Sequence, residues 1–344
     1  MPEPEVVKVL LRFNRMLAAL DATAANGMIT AYGTAFKTLN SQTDALIAEV
    51  MGKQMSFAQM KKLERYKALL GQITREMNKF AAIAQGRIVE AQTGAVRIAT
   101  AGTRTVVGAA LSPGIDLAVL GQAGIAWNVL PAEAFQAFVG MAGDGGPLAT
   151  LLNQIGPTVR VGVTDALGEG ITMGYSPRKT AQIVQRRVGM GLTRALTISR
   201  TETLRAYRES TRLQYAANPN IVKGYIRRSA QNARTCMACI ALDGKRYPLT
   251  EALDEHVNGR CVLVPDTVTY KDLGLNVKEP PSDPFSSRDW FNQQTPAVQS
   301  NMMGTGKFKA WKNGDFQLED MARIDRNRVW GDQAVEKSLK QLVG

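Results

Sequence analysis

The chain has 344 residues, which is long enough to bury a sizeable core and favours two domains over one. Its composition, 45% hydrophobic and 21% charged, argues against a disordered chain. Three cysteines cannot all pair with one another, so the sequence also argues against a secreted, disulfide-stapled domain and favours a reducing compartment. The charged, amphipathic start shows no secretory signal, and we expect a cytosolic protein rich in helix.

The first half of the chain is predicted to be helical. Ser56 and Gln59 form the pattern of a capping box at a helix start. Apolar side chains then recur at spacings of three and four residues, which places them on one stripe of a long helix. An earlier helix over roughly residues 4–50, broken near Gly27, is the predicted antiparallel partner. The stripe favours an internal core, with docking on a partner helix as the alternative; it consists of Leu63, Tyr66, Leu70, Ile73, Met77 and Phe80.

Residues 101–175 are rich in Gly and Ala and almost devoid of Lys and Arg. The longest uncharged run, residues 117–131, is too short to span a bilayer. The pattern favours a pair of short buried helices. The alternative is a segment that packs on a partner or touches a membrane transiently.

Another helix is predicted to begin with Ser176 as its N-cap and Pro177 in its first turn. It is expected to end before Asn218, because a residue that precedes proline, here Pro219, is biased away from helical geometry. This helix introduces the basic part of the chain.

Strands are predicted within residues 221–230 and 262–270, where β-branched and aromatic residues are frequent. A tight turn at residues 243–244 is predicted to join two short strands. A Pro-rich linker, residues 278–284, then precedes short helices over residues 286–344.

The formal net charge of +12 is concentrated in one segment. Residues 178–246 hold fifteen Lys and Arg side chains against three acidic ones (Glu202, Glu209 and Asp243), so this segment carries the whole excess. Such a footprint is typical of contact with nucleic acid or another polyanion. The alternative is a solvated basic helix face that pairs with acidic groups elsewhere in an assembly.

All three cysteines and the single histidine of the sequence fall within residues 236–261. Cys236 and Cys239 form a Cys-x2-Cys pair, and sixteen residues later His256 and Cys261 form a His-x4-Cys pair. Two such pairs complete the tetrahedron of a structural zinc ion, with no position left open for catalysis. The alternative is that the cysteines are small core residues and that the histidine lies in a loop.

Two enzymatic interpretations compete with a metal site. Cys236 or Cys261 could be a nucleophile with His256 as its base, but no third, orienting group stands out. A nuclease would need His256 as general base together with further metal ligands. One histidine cannot be both a zinc ligand and a general base, and we assign no catalytic residue.

Three stretches in this order, "ISRTETLRAYRES", "RTCMACIALDGKRY" and "HVNGRCVLVP", resemble the phage Mu protein F-like family of head morphogenesis, or minor head, proteins. The tail after Trp290 resembles the region that often follows in this family, so the resemblance covers roughly residues 175–325. The family often has Cys-Arg-Cys after the histidine. Here Gly259 occupies the first of those positions, and only Cys261 remains on that side.

The resemblance implies a non-enzymatic minor capsid protein of a tailed phage, located in the virion head or at the portal vertex and in the host cytoplasm during assembly. Its implied partners are the portal protein and the major capsid or scaffold proteins, with packaged double-stranded DNA as a further contact and no small-molecule substrate. One alternative is an ejection protein that engages DNA or membrane, suggested by the apolar residues 106–143. A Cys/His-dependent hydrolase or nuclease is the third hypothesis.

Contact with DNA through phosphates would be independent of base sequence and would weaken steeply with salt. The predicted contacts are the basic residues Arg178, Lys179, Arg186, Arg187, Arg194, Arg200, Arg205, Arg208, Arg212, Arg227 and Arg228.

We therefore predict a mainly α fold with a smaller α+β C-terminal domain, in which a long helical hairpin or bundle precedes short strands around a Cys/His loop site. Residues 1–174 form the predicted helical docking domain, which includes the Gly- and Ala-rich segment 101–150. Residues 175–277 form the basic α+β domain, and residues 278–344 form the linker and helical tail.

Overall fold

The structure is a computed structural model, and it describes residues 5–111, 126–274 and 286–344. The described part is mainly helical with a few short antiparallel strands towards the C-terminus, which confirms the predicted fold class. No helix in these ranges combines the length and the hydropathy needed to cross a membrane. The predicted Pro-rich linker at 278–284 and most of the uncharged run at 117–131 lie outside the described residues.

The helices of the described chain are α1 (Glu5–Gly52), α2 (Phe57–Lys62), α3 (Glu64–Leu111), α4 (Leu148–Asn153), α5 (Ile155–Thr172), α6 (Pro177–Ala216), α7 (Met237–Ala241), α8 (Ser287–Asn292), α9 (Pro296–Met303), α10 (Thr305–Asn313) and α11 (Leu339–Val343). The strands are β1 (Val222–Arg228), β2 (Arg246–Pro248), β3 (Val262–Thr267), β4 (Ala322–Asn327) and β5 (Gly331–Glu336). Short 3-10 helices cover Ala132–Phe138 and Leu318–Met321.

Local sequence signals fix several helix ends. Ser56 and Gln59 form the predicted capping box at the start of α2. The hydroxyl of Ser176 accepts a hydrogen bond from the Lys179 N–H, as expected of the N-cap of α6. Helix α6 ends at Ala216, just before the Asn-Pro pair, as predicted.

The predicted break near Gly27 is wrong, because α1 continues through this residue. An added Cβ at Gly27 would lie 2.8 Å from Nε of Arg87, so the glycine makes room for a side chain of α3. A glycine inside a helix costs about 1 kcal/mol relative to alanine, which is too little to interrupt a long helix with a packed face.

The described contacts divide the chain into two compact units. One comprises Met1–Ala18, Gly94–Phe138 and Leu204–Gly344, and the other comprises Ala19–Thr93 and Val139–Thr203. We call them the sheet unit and the helical unit. The domains predicted from the sequence, with boundaries at residues 174 and 277, were assigned by function rather than by contacts, and that division stays a prediction.

The helical unit has its core along the predicted stripe of α3. Ile73, Met77 and Phe80 are buried, and the Phe80 ring meets Tyr32 of α1 edge to face at a centroid distance of 4.7 Å. The Tyr32 hydroxyl donates a hydrogen bond to the carbonyl of Val188 in α6. The stripe therefore serves an internal core, with α1 as the antiparallel partner of α3 in this unit.

The sheet unit contains an antiparallel sheet with the strand order β2-β1-β3. Tyr225 of β1 pairs with Tyr247 of β2, and their rings stack in parallel 5.2 Å apart. Tyr215 of α6, Val107 of α3 and Leu263 of β3 complete the buried cluster around this stack. Strand β1 is the central strand, because it pairs with β2 on one edge and with β3 on the other.

The tail of the sheet unit differs from the prediction of short helices alone. Strands β4 and β5 form an antiparallel hairpin with Asn327 opposite Gly331. The short helices α8 to α10 pack with α7 around Phe291 and Met321. The hairpin was missed because β4 and β5 are largely polar and carry little of the apolar alternation that marks a strand.

The turn predicted at residues 243–244 is present, but it joins α7 to β2 rather than two strands. Gly244 has a φ of +83°, which favours glycine. The Asp243 carboxylate accepts hydrogen bonds from the N–H groups of Ser229 and Ser287, at 2.7 and 3.0 Å, and forms a 3.1 Å ion pair with Arg228. This buried carboxylate therefore connects the end of β1 to the start of the tail.

Replacing Asp243 with alanine should leave these donors without an acceptor. We expect Asp243→Ala to lower the free energy of unfolding of the sheet unit by about 3–5 kcal/mol, as for other broken buried ion pairs. Urea denaturation followed by tryptophan fluorescence measures this loss. The control is Arg246→Ala, which removes an exposed partner of Asp266 and should cost less than about 1 kcal/mol. Equal losses in the two variants would contradict the assigned role of Asp243.

Candidate metal centre

The Cys-x2-Cys pair lies in the first turn of α7. Cys236 is the N-cap, and its sulfur accepts a hydrogen bond from the Cys239 N–H at 3.4 Å. Cys239 is buried, whereas Cys236 is partly exposed. The spacing of three residues brings both thiols to the same side of one helical turn.

His256 belongs to a tight turn in which the Gly259 N–H donates to the His256 carbonyl at 2.8 Å. Asn258 has a φ of +62°, a left-handed conformation that asparagine tolerates better than most residues. The turn directs the imidazole of His256 at the two thiols of α7. Its Nε2 atom lies 3.2 Å from Sγ of Cys236 and 3.2 Å from Sγ of Cys239.

The other ring nitrogen of His256 fixes the tautomer. Nδ1 lies 2.8 Å from the carbonyl oxygen of Val257, which can only accept a hydrogen bond. Nδ1 therefore carries a proton, and Nε2 is the ring nitrogen that faces the thiols. Metal-binding histidines typically show this arrangement.

Cys261 lies just before β3 and is buried. The four predicted ligands do not form one compact group. Instead Cys236, Cys239 and His256 form one potential metal-binding group, while Cys239, Glu255 and Cys261 form a second. Cys239 is common to both.

Glu255 is the member of this cluster that the sequence interpretation missed. Its carboxylate is buried, with Oε1 at 3.3 Å from Nε2 of His256 and 3.5 Å from Sγ of Cys239. An added Cβ at Gly259 would lie only 2.0 Å from that same oxygen. The carboxylate thus occupies space that any larger residue at 259 would need. The chain has thirty acidic residues, and no pattern in the sequence distinguishes Glu255 from the others.

Arg227 of β1 balances this carboxylate. Its side chain is fully buried and forms ion pairs of 3.0 Å with both Asp254 and Glu255. The same guanidinium donates to Sγ of Cys239 at 3.4 Å. Tyr247 adds a hydrogen bond of 2.7 Å to Asp254. The loop that carries His256 is thereby fastened to the central strand of the sheet.

Arg208 of α6 is also buried, and it donates to the Gly259 carbonyl at 3.2 Å. The predicted contacts of Arg208 and Arg227 with DNA phosphates stay a prediction, which the burial of both side chains does not favour. Both guanidiniums are enclosed by the fold and are directed at Glu255 and the His256 turn.

Electrostatics distinguishes the members of the cluster. A hydrogen bond from the Cys239 thiol lowers the pKa of Cys236, and the same contact raises the pKa of Cys239. Cys261 has a raised pKa because of its hydrogen bond with Cys239 and its burial. Burial alone would raise the pKa of Glu255, but Arg227 and then Arg208 lower it below its ordinary value. Glu255 is therefore ionised at neutral pH.

The C-terminal hairpin supports both halves of the cluster. The Ala334 N–H of β5 donates to the Asp254 carbonyl at 2.9 Å. The Glu336 carboxylate, from the same strand, accepts from the Met237 N–H at the start of α7 at 2.7 Å. One strand of the tail thus contacts both the helix that carries the thiols and the loop that carries the histidine.

A cavity of about 50 Å³ opens beside the cluster. Its lining includes all four predicted ligands, Cys236, Cys239, His256 and Cys261, together with Arg234 and Arg260. Small-molecule pockets usually enclose about 300–1,000 Å³. This cavity has room for water or an ion but not for a typical organic substrate.

The remaining predicted phosphate contacts are distributed unevenly. In the helical unit Arg178, Lys179, Arg186 and Arg187 are exposed, and Arg194 and Arg200 are half-buried. Arg200 pairs with Asp21 at 2.8 Å. In the sheet unit the half-buried residues are Arg205, Arg212 and Arg228; Arg212 pairs with Glu209 and Arg228 pairs with Asp243.

The fold and the site define a mainly helical protein in which a small antiparallel sheet carries a buried Cys/His cluster. Residues 161–264 match the family model described as "Phage Mu protein F like protein". The resemblance to this family is confirmed over that segment, which contains β1, β2, the first half of β3 and the whole cluster. The tail after Trp290 lies outside the match. No curated protein and no solved structure gives a significant match to the chain.

Removing the guanidinium of Arg227 should leave Glu255 buried without its nearest cation. We expect Arg227→Met to destabilise the sheet unit by about 3–5 kcal/mol at neutral pH. In the wild type, the lowered pKa of Glu255 contributes stability that is present at neutral pH and lost as the pH falls through the folded-state value. The difference between variant and wild type should therefore shrink as the pH falls, because the carboxyl that lacks its cation in the variant becomes protonated and the wild type then loses its own advantage.

Unfolding free energies measured by urea denaturation between pH 3 and about pH 7 test this expectation. Arg246→Met serves as the control, because its guanidinium is largely exposed. A destabilisation by Arg227→Met that does not change with pH would show that the side chain acts through packing rather than charge.

Proposed function

We propose that the protein is a minor capsid protein of a tailed phage that acts in head morphogenesis. The observation that carries this proposal is the family match over residues 161–264. The proposed partners are the portal protein and the major capsid or scaffold proteins, and the proposed location is the virion head or portal vertex.

A structural rather than catalytic role is favoured by the geometry of the cluster. A nucleophile and its base form one specific pair. Here Nε2 of His256 lies equally close to two thiols, at 3.2 Å from each, and the adjoining cavity measures about 50 Å³. These features suit a cluster that holds a loop against a helix better than one that binds and cleaves a substrate.

Exposed cations at the start of α6 support a contact with packaged DNA. At 3.6 residues per turn, Arg178, Lys179 and Arg186 project within about 100° of one another around the helix axis, and Arg187 extends the same half. Within the described residues, none of these four forms an ion pair, so their charges are available to phosphates. Lys179 lies over the Tyr175 ring, 3.3 Å from its centroid.

Head association can be tested by co-expressing the full chain with the portal, major capsid and scaffold proteins of the phage that encodes it. We expect the chain to co-sediment with portal-containing procapsids and to remain in mature heads. Heads assembled without portal protein are the control. Absence from heads at every stage would refute the proposal, and retention in heads but loss from ghosts after ejection would favour an ejection protein.

The proposed binding to DNA predicts a specific salt response. Replacing Arg178, Lys179, Arg186 and Arg187 with glutamine should weaken binding to double-stranded DNA of any sequence. It should also reduce the slope of log K against log salt by about 0.9 for each phosphate that these side chains neutralise in the wild type. Fluorescence anisotropy at several salt concentrations measures both effects.

The matched control neutralises the same number of exposed cations in the same unit: Lys61, Lys62, Arg65 and Lys67. This control should retain most of the affinity and the slope. An equal weakening in the two variants would mean that net charge, and not the surface of α6, determines binding.

A further inference from the structure

We propose that the cluster is a site for one zinc ion whose ligands are Cys236, Cys239, His256 and Glu255, with Cys261 outside the coordination shell. This assignment replaces one of the four ligands expected from the sequence. It does not depend on the proposed role in head assembly.

Four of the separations between the donor atoms are close to those around a tetrahedral ion, whereas Cys236 and Glu255 belong to different groups and must move closer together as the ion binds. Zinc bonds of about 2.3 Å to sulfur and 2.0–2.2 Å to nitrogen or oxygen place neighbouring ligand atoms about 3.3–3.8 Å apart. Nε2 of His256 lies 3.2 Å from each of the two sulfurs and 3.3 Å from Oε1 of Glu255. Oε1 lies 3.5 Å from Sγ of Cys239. The imidazole nitrogen therefore links both potential metal-binding groups through close contacts.

Neighbouring groups hold the side chains of His256 and Glu255 in orientations that suit metal binding. Nδ1 of His256 is held by the Val257 carbonyl, so Nε2 is the ring nitrogen left to bind a metal. Arg227 orients Glu255 through Oε2 at 3.0 Å, which leaves Oε1 facing the imidazole and the Cys239 thiol. Each of these two ligands thus has a second contact that fixes its direction.

Charge balance is compatible with Glu255 as the fourth ligand. Two thiolates and one carboxylate around a divalent ion leave one net negative charge, and Asp254 adds another. The buried guanidiniums of Arg208 and Arg227 balance both.

Cys261 has a different place in this arrangement. It shares the group around Cys239 with Glu255, but of the two it is Glu255 that contacts Nε2 of His256, at 3.3 Å. A neutral thiol there can donate to the sulfur of Cys239, as outer-shell groups commonly do around thiolate ligands.

The first test needs no variant. X-ray absorption at the zinc edge on the full-length, zinc-loaded protein should show two sulfur atoms near 2.3 Å and two nitrogen or oxygen atoms near about 2.0–2.1 Å. Elemental analysis should give one zinc per chain. A shell of three sulfurs and one nitrogen would overturn the assignment of Glu255. Zinc below about a tenth of an equivalent would overturn the site itself.

Competition titrations with a chromophoric chelator provide a second test. Cys236→Ser should weaken zinc binding more than about 100-fold, whereas Cys261→Ser should weaken it by about tenfold or less, as expected outside the first shell. Glu255→Asp keeps the charge that Arg227 requires but shortens the reach by one methylene, and it should weaken binding more than Cys261→Ser does. Circular dichroism confirms that each variant is folded. The opposite order of Cys261→Ser and Glu255→Asp would refute the ligand set.

Discussion

The ion pairs of Arg227 with Asp254 and Glu255 are the interaction on which the rest of the sheet unit depends. A fully buried guanidinium is tolerated only when charged and hydrogen-bonding partners surround it. Arg227 lies in the central strand, so its partners must come from the loop that follows β2, which brings His256 to the first turn of α7. Its backbone N–H donates to the Lys245 carbonyl, and its carbonyl accepts from the Gly244 N–H. One residue therefore fixes the strand, the turn and the histidine loop together.

The burial of these ion pairs changes how the net charge of +12 is interpreted. A count of basic residues treats every cation as surface charge, whereas Arg208 and Arg227 neutralise acidic groups in the interior. Several others, such as Arg212 and Arg200, are paired on the protein itself. The excess that remains available for a polyanion is concentrated on the first turns of α6, which is a smaller and better-defined surface than the whole basic segment.

Features with local causes were predictable from the sequence, and features with tertiary causes were not. The cap at Ser56, the start of α6 at Pro177 and the strands of the sheet follow from short-range chemistry. The glycine at position 27 of α1 makes room for Arg87, and the role of Glu255 depends on Arg227, neither of which a local pattern shows. The burial of Arg227 had a detectable signal, because it shares a strand face with the buried Tyr225.

Under the proposed ligand set, Gly259 marks a difference from the resembled family that preserves the metal site rather than weakening it. A glycine where the resembled family often has cysteine removes a thiolate, and from sequence alone this suggests a weaker metal site. In the fold, the carboxylate of Glu255 occupies the space that a side chain at 259 would fill. As a ligand this carboxylate supplies the same formal charge as a thiolate, and it is already paired with Arg227. Because the guanidiniums keep the pKa of Glu255 below its ordinary value, this group has no proton to release when a cation binds, whereas a thiol must lose one.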